Sequence, residues 1–270
     1  MLMLVAPATL ANPLDGTVTA GSATINQSGS RVDVTQQTNR AVIDWRGFDI
    51  GAGETTQFHQ PDANSIAVNR VTQGGASRID GTLTANGNVV IINQNGVMFG
   101  ATANVDVNGL VATTSDLKND EFMAGGKLMF SQPGNPNATI SNAGTITARD
   151  AGLVGFVAPN VVNSGVITAK LGRVQLASGD TAAVDFYGDG LMSIAISDAV
   201  TSQLVANAGI IQADGGKIAL TAAAGSHIVN SLITNSGTLQ AQTIGTQNGE
   251  IIIAAEGSHA VDGNAEANKD

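Results

Sequence analysis

Residues 142–148 read Asn-Ala-Gly-Thr-Ile-Thr-Ala, and the same pattern, N-x-G-x-[IL]-x-A, returns three times further along the chain. The later copies begin at Asn163, Asn207 and Asn235, and a weaker copy without the leading Asn spans residues 79–85. Within each copy, apolar residues alternate mainly with Thr or Gln, which is the period of a β-strand with one buried face. Asn-x-Gly favours a tight turn, because both residues tolerate left-handed backbone angles. Each copy therefore predicts a turn followed by a strand.

A second strand-like element follows each full copy of the pattern. The glycines of the first element, weak copy included, stand at positions 81, 144, 165, 209 and 237, so their separations are 63, 21, 44 and 28 residues. The first three separations are close to multiples of 21, and the last fits one turn with an insertion. A period near 21 in strand-forming residues is typical of a solenoid, and the L-x-x-L-x-L-x-x-N frame of leucine-rich repeats is absent. We therefore predict an all-β fold, a right-handed parallel β-helix with coils of roughly 21 residues. The second elements are Gly152–Val157, Gly172–Ala177, Gly216–Thr221 and Gly249–Ala254.

The composition suits stacked strands. The chain has 270 residues, of which 43% are hydrophobic but only 3% aromatic, so a core of Ala, Val, Ile and Leu must be narrow and uniform. Charged residues make up 13%, about half of the usual share in globular proteins. Surface polarity must therefore come from Asn, Thr, Ser and Gln, whose amides and hydroxyls can bond along a stack of strands. Segments with a 3.6-residue period are nearly absent.

Charge and cysteine usage exclude several classes of function. The formal net charge is −10, and the 12 basic residues form no run, so binding to nucleic acid is disfavoured. The acidity serves solubility or an acidic binding face, and solubility is the simpler interpretation. The chain has no cysteine, which excludes a disulfide framework, a Cys–zinc site and a Cys nucleophile. None of this excludes export.

The chain divides into three predicted parts. Residues 1–11 resemble the remnant of a signal peptide with cleavage after Ala11, and the alternative is a buried N-terminal strand. Residues 12–256 form the predicted β-helical domain, in which residues 12–40 cap the first coil. Residues 257–270 are a polar tail that is expected to fray and to mark a truncation point. Residues 115–126 are more polar and are expected to leave the helix as a loop or excursion, and residues 131–137 form a turn-rich break. No stretch reaches the roughly 20 apolar residues of a membrane helix.

Between residues 42 and 100 the sequence resembles a known family. It is similar to the N-terminal two-partner-secretion domain, also called the haemagglutination activity domain, of filamentous haemagglutinin-like exoproteins, and closest to the high-molecular-weight adhesin branch. The likeness extends to about residue 197. At one site the family usually carries N-P-N-G, and Gln94 replaces the proline here, which makes the turn less rigid. The segments that carry the resemblance are VIDWRGFDI (42–50), FHQP (58–61), NRVT (69–72), SRIDGTLTANG (77–87) and VVIINQNGVMFG (89–100).

The resemblance implies a function. It implies export through the Sec system and the periplasm, a secreted or cell-surface location, and recognition by a cognate outer-membrane two-partner-secretion transporter through its periplasmic POTRA domains. Whole proteins of this family are adhesins, haemolysins, haem-acquisition proteins or contact-dependent toxins. Those activities lie outside this domain, so a host or matrix receptor is expected only for other regions of the protein. The domain itself is expected to nucleate β-helix folding outside the cell and to be monomeric.

Five residues are the candidate secretion motif, and their own chemistry leaves two roles open. An internal Asn can bond turn backbone and stack on neighbouring coils, or it can contact the transporter. We favour the structural role for Asn93 and expect Arg70 to be the better contact if it is exposed. The five residues are Asn69, Arg70, Asn93, Asn95 and Gly96.

No residue set points to catalysis or to a cofactor. His59, His227 and His259 have no His or Cys partner at metal-ligand spacing, and no metal site is expected. Sugar-cleaving β-helices place two or three carboxylates together on adjacent coils, usually beside aromatic platforms, and this chain has few aromatics. The carboxylates considered for that role are Asp44, Asp49, Asp80 and an acidic loop of Asp185 and Asp189 around Tyr187. We predict that they are solvated or cap turns and that the chain is not an enzyme. The alternatives are a secreted β-helical polysaccharide hydrolase or lyase and a free-standing glycan-binding adhesin module.

Overall fold

The computed structural model describes residues 11–186, 192–225 and 227–256. Strands are numbered here along the chain, and they form three long sheets and one smaller outer sheet. The first sheet contains, in spatial order, β2 (Ala23–Ser28), β3 (Arg31–Gln36), β5 (Thr55–His59), β8 (Thr82–Ala85), β11 (Asn104–Val107), β16 (Thr145–Ala148), β19 (Val166–Ala169), β24 (Ile210–Gln212) and β27 (Thr238–Gln240).

The second sheet contains β1 (Thr17–Ala20), β4 (Arg40–Trp45), β6 (Ile66–Val71), β9 (Asn88–Ile92), β12 (Gly109–Thr113), β17 (Leu153–Ala158), β20 (Arg173–Ser178), β25 (Lys217–Ala223) and β28 (Glu250–Glu256). The third sheet contains β7 (Ser77–Ile79), β10 (Gly96–Phe99), β15 (Thr139–Asn142), β18 (Asn160–Asn163), β23 (Ser202–Asn207) and β26 (Asn230–Asn235). The outer sheet contains β13 (Asp116–Leu117), β14 (Leu128–Gln132), β21 (Thr181–Val184) and β22 (Met192–Ala195), and the helix α1 (Asn119–Ala124) lies between β13 and β14.

Each full coil passes through the first, second and third sheets in turn. Consecutive coils pair in parallel, so equivalent residues of the repeat lie directly above one another. Ile146 pairs with Ile167, Ile167 with Ile211, and Ile211 with Leu239. Stacked strands of this kind lie about 4.8 Å apart. The predicted parallel β-helix is confirmed.

The interpretation of the longer spacings as multiples of 21 was wrong. The 63 residues between Gly81 and Gly144 span two coils, since β8 pairs with β11 and β11 with β16. The 44 residues from Gly165 to Gly209 span one coil, since β19 pairs directly with β24. The additional residues leave the helix between the second and third sheets, one excursion carrying β13, α1 and β14 and the other carrying β21 and β22. The last spacing, of 28 residues, is one coil with an insertion, as predicted.

The residues that the structure describes form two apolar cores. The inner core fills the space between the three long sheets, and its largest side chains include Trp45, Phe58, Phe99 and Phe156. A second core lies between the outer face of the second sheet and the outer sheet. The middle strands of the second sheet are therefore buried on both faces, which explains why every residue of β9 and β12 is buried. Its continuous apolar runs follow from that double burial.

The N-terminal strands pair differently from the rest of the long sheets. β1 is antiparallel to β4, and β2 is antiparallel to β3, so these two strands lie across one end of the helix. Val18 and Ile25 pack against the inner core from this end. At the opposite end, Ile251 and Ile253 continue core-facing columns but are 45% and 53% exposed, because no further coil lies above them among the described residues.

Some predictions fall on residues that the structure does not describe. They concern the leader residues 1–10, the loop residues Tyr187 and Asp189, His259 and the tail 257–270. In the described part of the chain, no helix is long and apolar enough to cross a membrane.

Candidate functional site

Asn69 lies inside the β-helix rather than on its surface. It occupies a core-facing column between Ile43 and Ile91, and its side chain is fully buried. Its Oδ1 accepts a hydrogen bond of 3.0 Å from the indole Nε1 of Trp45. Its Nδ2 donates to the carbonyl oxygens of Ala67 and Val90, at 3.3 Å each. Because Trp45, Asn69 and Val90 lie on three successive coils, this one amide ties those coils together.

Arg70, the next residue, points to the opposite face and holds the first excursion. Its guanidinium donates to Asp44 Oδ1 at 2.9 Å and to Asp116 Oδ1 at 2.8 Å. It also donates to the carbonyl oxygen of Leu117 at 3.0 Å and to Oδ1 of Asn119 at 2.8 Å. The Arg70 side chain is only 14% exposed, so the exposure on which its role as a contact residue depended is not met in the folded domain. The excursion covers the guanidinium, because it contributes three of the partners, namely Asp116, Leu117 and Asn119.

A second arginine, Arg40, also binds the first excursion, and it was not singled out from the sequence. Arg40, on the neighbouring coil, donates to the carbonyl oxygen of Phe122 at 2.6 Å and to that of Gly126 at 3.2 Å. Its guanidinium carbon lies 5.0 Å from the centroid of the Phe122 ring, a cation–π distance. Phe122 is the buried residue of α1. Arg40 and Arg70 together fasten the helical excursion to the outer face of the second sheet.

Residues 93–96 form the corner between β9 and β10. Asn93 is 2% exposed, and its Oδ1 accepts the backbone N–H of Asn95 at 2.9 Å. Its Nδ2 donates to the Gly75 carbonyl oxygen and to Ser77 Oγ, both at 3.0 Å. The amide of Asn93 therefore holds its own turn and also the loop of the preceding coil. This arrangement is the structural role that we favoured for Asn93.

Asn95 and Gly96 differ in what the turn requires of them. Gly96 has φ +111°, and a Cβ at this position would lie 2.4 Å from the Thr139 carbonyl oxygen of the next coil. Asn95 is exposed and is not among the residues with positive φ, so the turn requires the left-handed region only of Gly96. Its Nδ2 donates to the Gly74 carbonyl oxygen at 3.0 Å. Met98, two residues after Gly96, is 41% exposed, whereas its neighbours Val97 and Phe99 are fully buried.

The repeated asparagines form a ladder along the third sheet. Nδ2 of Asn142 donates to Oδ1 of Asn163 at 2.8 Å, Asn163 to Asn207 at 2.7 Å, and Asn207 to Asn235 at 2.7 Å. The first three of these side chains are buried. The ladder confirms that amides bond along the stack. It begins at Asn142 because Phe99 occupies the equivalent position one coil earlier.

The carboxylates considered for catalysis are engaged in structural contacts. Asp44 pairs with Arg70, Asp49 Oδ1 accepts the backbone N–H of Arg78 at 2.7 Å, and Asp80 pairs with the Arg78 side chain. A hydrogen bond from Arg31 lowers the pKa of Asp33 below its usual value, and a bond from His59 acts in the same direction. No group of three or more metal-ligating side chains occurs within the described ranges. These contacts leave no pair of free carboxylates facing a cleft among Asp44, Asp49 and Asp80.

Comparison with known proteins gives the family of this fold and site. Residues 11–267 match the family model described as the TPS secretion domain. The chain belongs to this family. TPS secretion domains are part of exported proteins that pass through the periplasm to the cell surface, each with a cognate outer-membrane transporter. The membership supports a secretion domain over an enzyme or a free-standing adhesin module.

Two curated relatives and one solved structure similar to this TPS secretion domain come from Haemophilus influenzae. The chain is 37% identical over 255 residues to a heme/hemopexin-binding protein of strain ATCC 51907 / DSM 11121 / KW20 / Rd, covering 90% of this chain and 27% of the relative. It is 32% identical over 261 residues to a second protein of the same name, covering 87% of this chain and 27% of that relative. The HMW1 secretion domain superposes with a TM-score of 0.76 at 28% identity, covering 90% of this chain and 62% of the other. The chain thus spans about a quarter of the length of these curated relatives.

Proposed function

We propose that the candidate secretion motif acts twice, first in the extended chain and then in the folded domain. The observation that carries this proposal is burial. Asn69 and Asn93 are 0% and 2% exposed, and the side chain of Arg70 is 14% exposed, so a transporter cannot reach them in the folded domain. In an extended chain in the periplasm the same side chains are available. Recognition by the transporter therefore precedes folding.

The contact with the transporter uses its periplasmic POTRA domains. Backbone pairing at a sheet edge accepts varied side chains, and this chain supplies many short strand-forming segments. Asn69 and Arg70 lie within one such segment, β6, and residues 93–96 lead into another, β10. We place the specific contacts in these two segments. The side-chain amides then select the register in which the segment adds to the POTRA sheet.

Outside the cell, the domain nucleates the β-helix. Each new coil buries its apolar positions against the preceding one, so folding is favourable step by step. The bonds of Asn69 join three of the first coils, and those of Asn93 join the next corner to the loop below it. These are the coils that leave the transporter first if the chain emerges from its N-terminus. The sequence limits that we propose for this unit are residues 12–256, with residues 12–40 as the cap and residues 257–270 outside it.

Ligand binding belongs to other regions of the whole protein. The curated relatives are named for binding heme and hemopexin, and this chain spans only 27% of their length. A host haem carrier is accordingly the class of receptor that we propose for the whole protein. The secretion domain itself acts as a monomer toward its transporter.

Binding to purified POTRA domains tests the order of these two steps. The wild-type chain is presented either folded or freshly diluted from urea, and binding is followed over time on immobilised POTRA domains. We expect the diluted chain to bind and its binding to decay as it folds, whereas the folded domain binds weakly. Equal binding by both forms contradicts the proposal.

A matched pair of variants separates recognition from folding. Asn69→Ala and Ile91→Ala change two residues of the same core-facing column, and both are expected to destabilise the fold. Only Asn69→Ala removes a motif side chain. We expect the unfolded Asn69→Ala chain to bind the POTRA domains more weakly than the unfolded Ile91→Ala chain. If the two unfolded variants bind alike, Asn69 serves the fold alone.

A further inference from the structure

Glu54 is a buried carboxylate at the N-terminal end of the β-helix. Glu54 immediately precedes β5 in the sequence, and the residue is only 6% exposed. Oε1 accepts the backbone N–H of Ala11 at 2.7 Å, and Oε2 accepts the backbone N–H of Gly51 at 2.7 Å. In the described part of the chain, no Lys, Arg or His side chain pairs with Glu54. A carboxylate removed from water is costly unless a positive charge or several donors compensate for it.

Asn12, next to Ala11, enters the fold at the same place. The residue is fully buried, and Pro13 after it is buried too. Nδ2 of Asn12 donates to the Gly29 carbonyl oxygen at 2.9 Å, whereas its Oδ1 has no hydrogen-bond partner. The chain is therefore anchored at Asn12. A new chain end created at this point would lie inside the end of the β-helix and not in solvent.

The residues before Asn12 have the pattern of a leader-peptidase site. Thr9 and Ala11 are small and stand three and one positions before the Ala11–Asn12 bond, after an apolar run. Ala8, with Ala6 two positions earlier, offers a competing site. Adjacent residues are about 3.8 Å apart along the chain, so the nitrogen of Asn12 is one residue away from the nitrogen that now contacts Glu54.

We propose that a leader peptidase hydrolyses the Ala11–Asn12 bond and that the new α-ammonium group of Asn12 pairs with the buried Glu54 carboxylate. One water is consumed. Its oxygen joins the Ala11 carbonyl carbon, the C–N bond breaks, and the nitrogen of Asn12 becomes the ammonium group. The inference rests on the proposed function, because only an exported chain meets this peptidase.

The ammonium group supplies what the Glu54 site lacks. It replaces the neutral N–H of Ala11 by a charged donor, and charge-assisted hydrogen bonds are about twice as strong as neutral ones. It also gives the buried carboxylate its counter-charge. Removal of the leader and closure of the N-terminal end thereby become linked: the cap reaches its most stable form only after processing.

The mass of the exported protein tests the cleavage site. We expect intact-mass analysis and N-terminal sequencing of the protein collected outside the cell to give Asn12 as the first residue. A chain that begins at Thr9 or at any other residue overturns the proposal, although secretion itself continues. Failure of the proposed function looks different, because it shows in equal binding of the folded and unfolded chains to the POTRA domains and leaves the first residue of the exported protein unchanged.

The reactivity of the α-amine tests the ion pair. An amine whose pKa is raised by one unit has about tenfold less of the reactive free form at neutral pH. We expect an acylating reagent at pH 7 to label the Asn12 amine about tenfold more slowly in the wild type than in Glu54→Gln. Asp15→Asn is the matched control, because Asp15 lies close in sequence but is exposed and pairs with Arg46. It should react at the wild-type rate.

Two results overturn the ion pair. One is equal labelling of the wild type and Glu54→Gln, both shown to be folded by circular dichroism. The other comes from Glu54→Met, which removes the charge, keeps most of the side-chain volume and serves in place of Glu54→Gln if that variant does not fold. If the amine is labelled in Glu54→Met as slowly as in the wild type, an uncharged side chain protects it equally well, and Glu54 is not its partner.

Discussion

The indole nitrogen of Trp45 and the amide oxygen of Asn69 lie 3.0 Å apart inside the β-helix, and both side chains are buried. The bond joins two successive coils. It also holds the Asn69 amide, which lies in an otherwise apolar column of the described residues, where its Nδ2 reaches a carbonyl oxygen of the third coil. Trp45 in turn contacts Phe48 edge to face, with ring centroids 5.6 Å apart. The start of the helix is thus organised around one aromatic–amide contact.

Removing the Asn69 amide should destabilise the domain. Asn69→Ala leaves the Trp45 N–H without its acceptor and the Val90 carbonyl oxygen without one donor. Buried polar groups left in this way cost about 1–3 kcal/mol. Urea denaturation followed by circular dichroism measures the free energy of unfolding. Asn95→Ala, which changes an exposed amide, should stay within about 0.5 kcal/mol of the wild type, and a larger loss there would mean that the exposed amide also supports the turn.

Loss of the Arg70 guanidinium should release the helical excursion. Arg70→Met leaves Asp44 and Asp116 without their shared cation, and breaking a largely buried pair costs about 3–5 kcal/mol at most. We expect faster amide hydrogen exchange across residues 116–124 than in the wild type, together with lower stability. Arg31→Met removes a pair with Asp33 that is largely exposed and should leave exchange in α1 unchanged. Unchanged exchange in Arg70→Met would show that Arg40 and the apolar contacts suffice.

A side chain at position 96 should be poorly tolerated. Gly96→Val combines a positive φ with a Cβ that approaches the Thr139 carbonyl oxygen, so we expect a loss of about 1–3 kcal/mol from strain alone and more from the contact. Gly53→Val is the matched control: Gly53 also has a positive φ, of +81°, but a Cβ there meets nothing within 4 Å. The difference in melting temperature between the two variants isolates the contact. Equal losses would show that the turn can shift away from Thr139.

Restoring proline at position 94 should not harm the fold. Gln94 is exposed, and its carbonyl oxygen, which proline keeps, accepts the Asn135 N–H at 2.9 Å. A compatible proline stabilises by about 0.4–1 kcal/mol because it restricts the unfolded chain. Thermal melting of Gln94→Pro should therefore match or exceed the wild type. A lower melting temperature would indicate that the backbone angle at residue 94 does not suit proline.

An asparagine in the interior of the ladder should contribute more to the free energy of unfolding than the asparagine at its end. Asn163 accepts from Asn142 and donates to Asn207, and it is buried, whereas Asn235 is the exposed last member. Asn163→Ala should lower the free energy of unfolding by about 1–3 kcal/mol. Asn235→Ala should cost clearly less because water reaches its partners. Similar losses for both would argue against the ladder as a source of stability.

The features that could be predicted are those that depend on neighbours close in sequence. The N-x-G turns, the alternating strands and the role of Asn93 all follow from local residue types, because the Asn side chain bonds the backbone two residues away. The burial of Arg70 could not be predicted, since its partners Asp116, Leu117 and Asn119 are 46–49 residues away and belong to an excursion. The excursion that starts near residue 115 was expected from its polar residues, whereas the one that carries β21 and β22 was hidden because its length is close to one repeat period. The contact of Glu54 with the chain near residue 11 gave no signal, since that partner nitrogen lies 43 residues earlier.

The outer sheet combines strands from two distant parts of the chain, and this has a consequence for timing. β14 ends at Gln132, but β21, to which it pairs, begins only at Thr181, two coils later. When the chain emerges N-terminus first, the outer face of the second sheet, which includes Val90 and Val111, stays partly exposed to solvent. It is covered only when β21 and β22 have also emerged and joined the outer sheet. The rate of export through the outer membrane therefore determines how long this apolar face can aggregate with other chains. A pause in export between residues 132 and 181 would therefore prolong the exposure of these apolar side chains.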